Sequence, residues 1–267
     1  KGDVLLQKAD PYGNRTQPAP LWNSVVADVS DFTWNDSSWM AERKKYDDRR
    51  QPVSIYETSL GQWKSGKELV TFAKEKGYTH VELHPVMEFL EDGSDGYPTS
   101  AYFAVSTRYG TPAEFAALVD ELHQVGIGVI LDWSPAQFPR YAGGLEKFDG
   151  TPLYEVKDPE MAVHPMWGTM LYNYDSPMVM DFLISNACFW LEVFHVDGLR
   201  MDDVDAMLYL DYGRKDGWTP NMYGSNENLH AIEFLKHLNS IVKKRDPGAL
   251  LIAQEDGLWP ELTDSVE

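Results

Sequence analysis

Cysteine is almost missing from this sequence: Cys188 is the only one in 267 residues, so no disulfide can form within the chain. Such usage suits a reducing, cytoplasmic setting. Cys188 lies in Asn186-Ala-Cys-Phe-Trp-Leu, an apolar helical pattern without an adjoining cation, and reads as a buried structural thiol rather than a nucleophile. Cations are scarce too. With 23 Lys and Arg against 42 Asp and Glu, the net charge is −19 and no basic stripe forms, which argues against nucleic acid as a partner. No stretch approaches the ~18 apolar residues of a membrane span, so no membrane partner is expected. No glycine-rich phosphate loop follows the first strand pattern, which speaks against nucleotide binding. The opening Lys1-Gly2-Asp3 lacks an initiator Met and an apolar signal region, and Thr263 to Glu267 offer no natural stop. The chain is therefore expected to be a piece of something longer.

What is present is globular material, 43% apolar and 24% charged. Residues 1–50, punctuated by Pro11, Gly13, Pro18 and Pro20, read as coil and short strands leading into a domain over 51–267. The run Arg43-Lys-Lys with Asp47-Asp-Arg-Arg reads as a solvated connector. From Val53 a rhythm begins. Val53 to Glu57 is a strand, Lys67 to Lys76 an amphipathic helix closed by Gly77, and His80 to His84 a second strand. A Gly/Ser/Asp loop spans Glu91 to Ser100. Thr111-Pro-Ala-Glu114 is a capping box opening a helix to Gly126, and Ile127 to Leu131 is an apolar strand entering Asp132. Residues 135–175 are long, irregular and aromatic, a functional loop by their length and composition. A nearly all-apolar helix runs from Ser176-Pro177 to about Phe194. Gly198 to Met201 is a strand into Asp202, Glu227 to Lys244 a helix, and Ala249 to Ala253 a last strand.

Strands alternating with helices imply a parallel sheet. Long loops after strands and short links before them fit a (β/α)8 barrel with its site on the C-terminal face, here expected to stop after about its fifth strand; an open doubly wound sheet shares the asymmetry. Polar residues gather at strand ends: Asp132, Arg200, Asp202, then Gln254-Glu255-Asp256, with Tyr97 in the loop after the second strand. On one barrel rim these converge. Each also has a structural use, Asp132 as a helix cap and Arg200 as an ion-pair partner. Paired carboxylates roughly 5 Å apart perform retaining glycoside chemistry with no cofactor. Clustered carboxylates can instead hold a metal, and Asp202-Asp203-Val-Asp205 would be that cluster, giving a metal-dependent barrel hydrolase.

Several segments resemble glycogen (1,4-α-glucan) branching enzymes of the α-amylase superfamily. They are Ser54-Ile-Tyr-Glu-Thr-Ser-Leu-Gly-Gln-Trp63, Tyr78-Thr-His-Val-Glu-Leu-His-Pro-Val-Met-Glu88, Ser106-Thr-Arg-Tyr-Gly-Thr-Pro112 and Gly126-Ile-Gly-Val-Ile-Leu-Asp-Trp133. His164-Pro-Met-Trp-Gly168, Asp197-Gly-Leu-Arg-Met-Asp202 and Met207-Leu-Tyr-Leu-Asp-Tyr212 continue the likeness, which runs from about Lys8 to Pro260. The resemblance implies a retaining transglycosylase that cuts an α-1,4 chain of glycogen or amylose and passes it to a 6-hydroxyl. It implies Asp202 as nucleophile, Arg200 holding that carboxylate ionised, and Asp132 and Tyr97 as sugar-binding residues. It implies that residues 1–50 leave a starch-binding β-sandwich domain, and that strands six to eight, with a third carboxylate, lie beyond residue 267. Three departures stand out. The family's general-acid glutamate is Gln254, the pocket histidine is Gln137, and Asp203 and Asp205 stand where small residues are usual. Glu255, one residue on, is the fallback acid, although strand alternation turns it to the opposite face. A catalytically impaired glucan-binding relative is the alternative that Gln254 and Gln137 favour.

Overall fold

The structure is a computed structural model that describes residues 5–18, 21–46, 50–257, 259, 260 and 262. Its centre is a parallel sheet of five strands, β1 (Ile55–Thr58), β2 (His80–Leu83), β5 (Gly128–Trp133), β8 (Gly198–Met201) and β9 (Leu250–Ala253), adjacent in chain order. Every neighbouring pair is parallel. Among the described residues β1 and β9 each have one neighbour in this sheet, so the barrel arc stays open.

Helices α2 (Gly66–Lys76), α3 (Pro112–Gln124), α4 (Pro177–Val193) and α6 (Leu229–Arg245) return the chain between these strands. Their ends follow from local chemistry. Ser65 caps the α2 backbone, and Gly77 ends the helix at φ 76°, a left-handed turn that costs glycine little. The expected capping box is present at α3, with Thr111 and Glu114 each satisfying the other's backbone. Strand registry then sorts side chains. Val81 pairs with Val129 and Leu131 with Leu199, and these join Trp133 and Met201 in a core with Leu69, Phe115, Val119, Phe182 and Trp190 from the helices. The alternate set (Glu82, Asp132, Arg200) points to the other side, the interior of the arc. Trp133 Nε1 donates to Asn186 Oδ1 at 2.9 Å, and Asn186 Nδ2 donates to the Tyr102 carbonyl at 2.7 Å, so the buried polar groups of α4 are paired.

Three expectations need correction. The Glu91–Ser100 loop is only the tip of an antiparallel hairpin, β3 (Met87–Phe89) with β4 (Thr99–Val105), whose registry is broken by bulges. The stretch after Asp202 is not all loop, because Val204–Leu208 forms a short helix, α5. The basic run is not a solvated connector where it begins. Ser37–Arg43 is helix α1, and Arg43 is buried. Its guanidinium donates to the carbonyls of His195 and Val196 at 2.7 and 2.8 Å, and pairs with Asp246 at 2.5 Å and Asp197 at 3.2 Å. A Cβ at Gly248 would lie 1.8 Å from the Arg43 carbonyl oxygen, so only glycine admits this approach. Asp47, Asp48 and Arg49 lie outside the described residues, as do Pro20 and both chain ends.

Arg43 belongs to a buried ionic network at the N-terminal end of the sheet. His123 bridges Asp36 and Asp197, each at 2.9 Å, and His195 reaches Asp36 at 2.8 Å. Burial alone would raise the Asp197 carboxyl, but His123, Arg43 and the Val129 N–H together pull it down to about 2. Burial likewise opposes a charged His123, and the two carboxylates outweigh it and raise its pKa. The long segment 135–175 carries one short antiparallel pair, β6 (Gln137–Phe138) with β7 (Met170–Leu171). Among the described residues no helix is long and apolar enough to cross a membrane.

Candidate active site

The interior of the arc at the C-terminal strand ends is charged. Asp132 sits within β5 with no exposed surface, so it caps no helix. The Tyr97 hydroxyl donates to Asp132 Oδ2 at 2.6 Å, fixing the tyrosine over the pocket. Arg200 on β8 lies among three carboxylates: Nη1 is 3.4 Å from Asp132 and 3.8 Å from Asp202, and Nε is 3.6 Å from Glu82. These distances are too long for good hydrogen bonds, so the coupling is by charge. Asp132 Oδ1 and Arg200 Nη1, both shielded from solvent, find no hydrogen-bond partner among the described residues. A buried polar atom without a partner is costly unless a ligand supplies one.

Burial and crowding shape the titration here. Asp202 is raised to about 6, first by burial and then by Asp203, against the pull of Arg200. Glu82 is raised to about 7 by burial and by Asp132. Burial raises Asp132 despite the Tyr97 hydrogen bond and Arg200. One guanidinium is shared by more negative charge than it can neutralise.

The residues around Asp202 form a second network. Asp203 has φ 60°, a left-handed conformation that Asp and Asn tolerate better than most side chains. Its Oδ2 accepts from Gln137 Nε2 at 3.0 Å and from His164 Nε2 at 2.9 Å. The Met166 and Trp167 N–H groups donate to His164 Nδ1, so the ring proton belongs on Nε2. Gln137 in turn accepts from the Thr169 hydroxyl. Gln254, whose backbone continues the β8–β9 ladder by donating to the Met201 carbonyl at 2.9 Å, turns its side-chain Oε1 to the Asp203 N–H at 3.2 Å. In this ladder Arg200 pairs with Ile252 and Met201 with Ala253, so Gln254 continues the interior row of Arg200 and Asp202.

Glu255 goes the other way. Its carboxyl lies against Asp205 on α5, and burial followed by that neighbour raises its pKa. Asp205 also accepts from the Asp256 N–H at 2.9 Å. The four acids of the Asp202–Asp205 stretch and the following strand therefore split between faces. Asp202 faces the arc, Asp203 binds Gln137 and His164, and Asp205 meets Glu255, so the acidic cluster of the alternative metal reading is not assembled. Among the described residues the one group with metal-ligand spacing is Glu57, His84 and Asp132.

Sequence reasoning brought together Tyr97, Asp132, Arg200 and Asp202, and the fold unites them on one rim. It missed Glu57, Glu82 and His84. A glutamate between Val81 and Leu83 in an otherwise apolar strand was the available signal, since period-two alternation separates it from the core.

A chain-order parallel arc with carboxylates and an arginine at its strand ends is part of a (β/α)8 barrel with a polar C-terminal rim. The family model for the α-amylase catalytic domain matches residues 31–135. The chain is 48% identical over 269 residues to the 1,4-alpha-glucan branching enzyme GlgB of Methylococcus capsulatus, covering 96% of this chain and 36% of that protein. It is 49% identical over 268 residues to the protein of that name from Frankia casuarinae, covering 97% of this chain and 33% of the other. Among solved structures, a putative alpha amylase from Salmonella typhimurium matches with a TM-score of 0.68 at 21% identity, covering 92% of this chain and 38% of that one, a likeness of fold. The chain belongs to the 1,4-α-glucan branching enzyme family of the α-amylase superfamily. It spans about a third of the length of the curated relatives it matches.

Proposed function

We propose that the protein bearing this chain works on α-glucan, glycogen or amylose, by retaining glucosyl transfer, and that its acid step is impaired. Asp202 is the nucleophile. Its carboxylate attacks C1, the C1–O4 bond breaks with O4 taking a proton, from water where position 254 has no carboxylic acid, and a β-linked glucosyl ester forms on Asp202. A 6-hydroxyl of a second chain then attacks C1, gives its proton up to water, releases the carboxylate and leaves an α-1,6 branch. Arg200 keeps Asp202 ionised against the burial and like charges that raise it. Tyr97 and Asp132 bind the sugar at the reacting bond, and Gln137 lines the pocket through its tie to Asp203. No cofactor is needed, because attack belongs to a side chain and proton transfer is work that a carboxyl group can do without one. The setting is cytoplasmic. Residues 1–50 lead out of a preceding β-sandwich domain, and 51–267 form the first part of the barrel.

The observation that carries this reading is the shared placement of Asp132 Oδ1 and Arg200 Nη1, buried and without hydrogen-bond partners among the described residues beside Asp202, where sugar hydroxyls would complete them. Gln254 carries the second half. It occupies the interior row where the acid belongs, and an amide cannot protonate the departing O4. Glu255, turned to Asp205, does not replace it. A glucosyl fluoride departs without that proton. The full-length protein is expected to form the covalent glucosyl-enzyme from α-glucosyl fluoride while barely branching amylose, and Gln254→Glu is expected to restore branching by about 10²–10⁴-fold. Efficient amylose branching by the unmodified protein would refute the impairment, and inertness toward both donors would refute the glucosyl-transfer reading.

A further inference from the structure

Beside the glucan pocket stand three groups that glucosyl transfer, as described above, does not require together. Glu57 lies on β1, His84 follows β2 and Asp132 lies on β5, and one ligand atom of each falls within 4.8 Å of the other two. His84 Nε2 is 3.1 Å from Glu57 Oε1. Two donors each about 2.0–2.1 Å from a tetrahedral zinc stand roughly 3.3 Å apart, so this pair already has ligand spacing. The third member supplies an independent sign. Asp132 is fully buried, Oδ2 is held by the Tyr97 hydroxyl, and Oδ1 has no hydrogen-bond partner among the described residues.

Charge favours a cation here. Glu57, Glu82, Asp132 and Asp202 bring four carboxyl groups to the strand ends, with Arg200 as the nearby guanidinium. Glu57 and His84 are partly exposed, so an ion can enter from solvent, while Asp132 forms the floor. An imidazole with two carboxylates suits a borderline divalent ion better than Mg²⁺ or Ca²⁺, which prefer oxygen alone. Three protein ligands leave at least one position open, the arrangement of a site that exchanges ligands.

We infer that Glu57, His84 and Asp132 form a binding site for a zinc-class divalent cation at the mouth of the pocket. The ion and a sugar hydroxyl would compete for Asp132 Oδ1, so metal occupancy and glucan occupancy exclude one another. The site rests on side-chain placement alone and stands or falls independently of the transfer reaction.

The test uses the full-length protein, stripped with chelator, and Co²⁺ or Zn²⁺ alone as the probe. Titration is expected to show one tight equivalent, with Co²⁺ developing the visible absorption of a low-coordinate nitrogen-oxygen site. Losing outer partners of a metal ligand costs about 10–100-fold in affinity, so His84→Asn and Glu57→Gln, each removing a ligand, should weaken binding by at least about 100-fold. His230→Asn removes an exposed histidine 3.6 Å from Asp175 and should leave the tight equivalent unchanged. Circular dichroism and melting of each variant establish that it is folded. Tight binding that persists in folded His84→Asn and Glu57→Gln, or no tight equivalent in the unmodified protein, overturns the inference.

Discussion

Neutralising Asp203 should move the acid limb of the glycosylation rate downward. On the proposed mechanism Asp202 must be ionised to attack, and in this fold its pKa is raised to about 6, first by burial and then by Asp203. The substitution Asp203→Asn is the clean perturbation. Asparagine tolerates the φ of 60° at this position, and its amide oxygen can accept from Gln137 and His164 as the carboxylate does. The loop geometry is therefore retained while one charge is lost. Carboxylates of consecutive residues lie about 7 Å apart, and at an effective dielectric of about 40 their repulsion is ~1.2 kcal/mol, or about 0.9 pH unit. The sign follows from like-charge repulsion: without Asp203 the ionised form of Asp202 is less disfavoured, so its pKa falls. The assay is release of fluoride from α-glucosyl fluoride by the full-length protein, measured as kcat/KM against pH. The midpoint of the acid limb should drop from near 6 to near 5. A midpoint that stays in place or rises would show that Asp203 does not set the ionisation of the attacking group.

Further expectations concern the buried ionic network. Arg43→Met removes the guanidinium that pairs with both Asp197 and Asp246, and breaking a buried pair costs about 3–5 kcal/mol, readable in denaturant unfolding. The pH dependence has two sides. The Asp197 pKa is depressed in the fold to about 2, so its contribution is present above the ordinary carboxylate range and is lost as pH falls toward 2. The His123 pKa is raised in the fold, so its contribution is full below the ordinary imidazole value and is lost as pH climbs through the raised one. Melting temperature should thus fall on both the acid and alkaline sides, and His123→Gln should flatten the alkaline side.

Much of the architecture was legible because each strand and helix announced itself locally. The 3.6-residue stripe of α2, the capping box of α3 and the apolar run of β5 need no distant partner to be recognised. What escaped depends on pairing. The β3–β4 hairpin is interrupted by bulges, and α5 is five residues long, too short to show a period. Arg43 read as solvated because its partners, His195, Asp197 and Asp246, are about 150 to 200 residues away. The site divides the same way. Asp132, Arg200 and Asp202 stand at strand ends where a barrel rim collects polar groups, and so they were found. Glu57 and His84 become a pair only once β1 and β2 lie side by side. The orientation of Gln254 and Glu255 was legible from alternation alone, one residue apart and on opposite faces.

The most direct measurement is covalent trapping. The full-length protein is incubated with α-glucosyl fluoride, quenched and digested, and the peptides are weighed. The account predicts one added anhydroglucose unit, confined to the peptide carrying Asp202 and absent in Asp202→Asn, accumulating in the unmodified protein because Gln254 cannot assist the next step. Sugar attached at another carboxylate, or an adduct that survives Asp202→Asn, would contradict it.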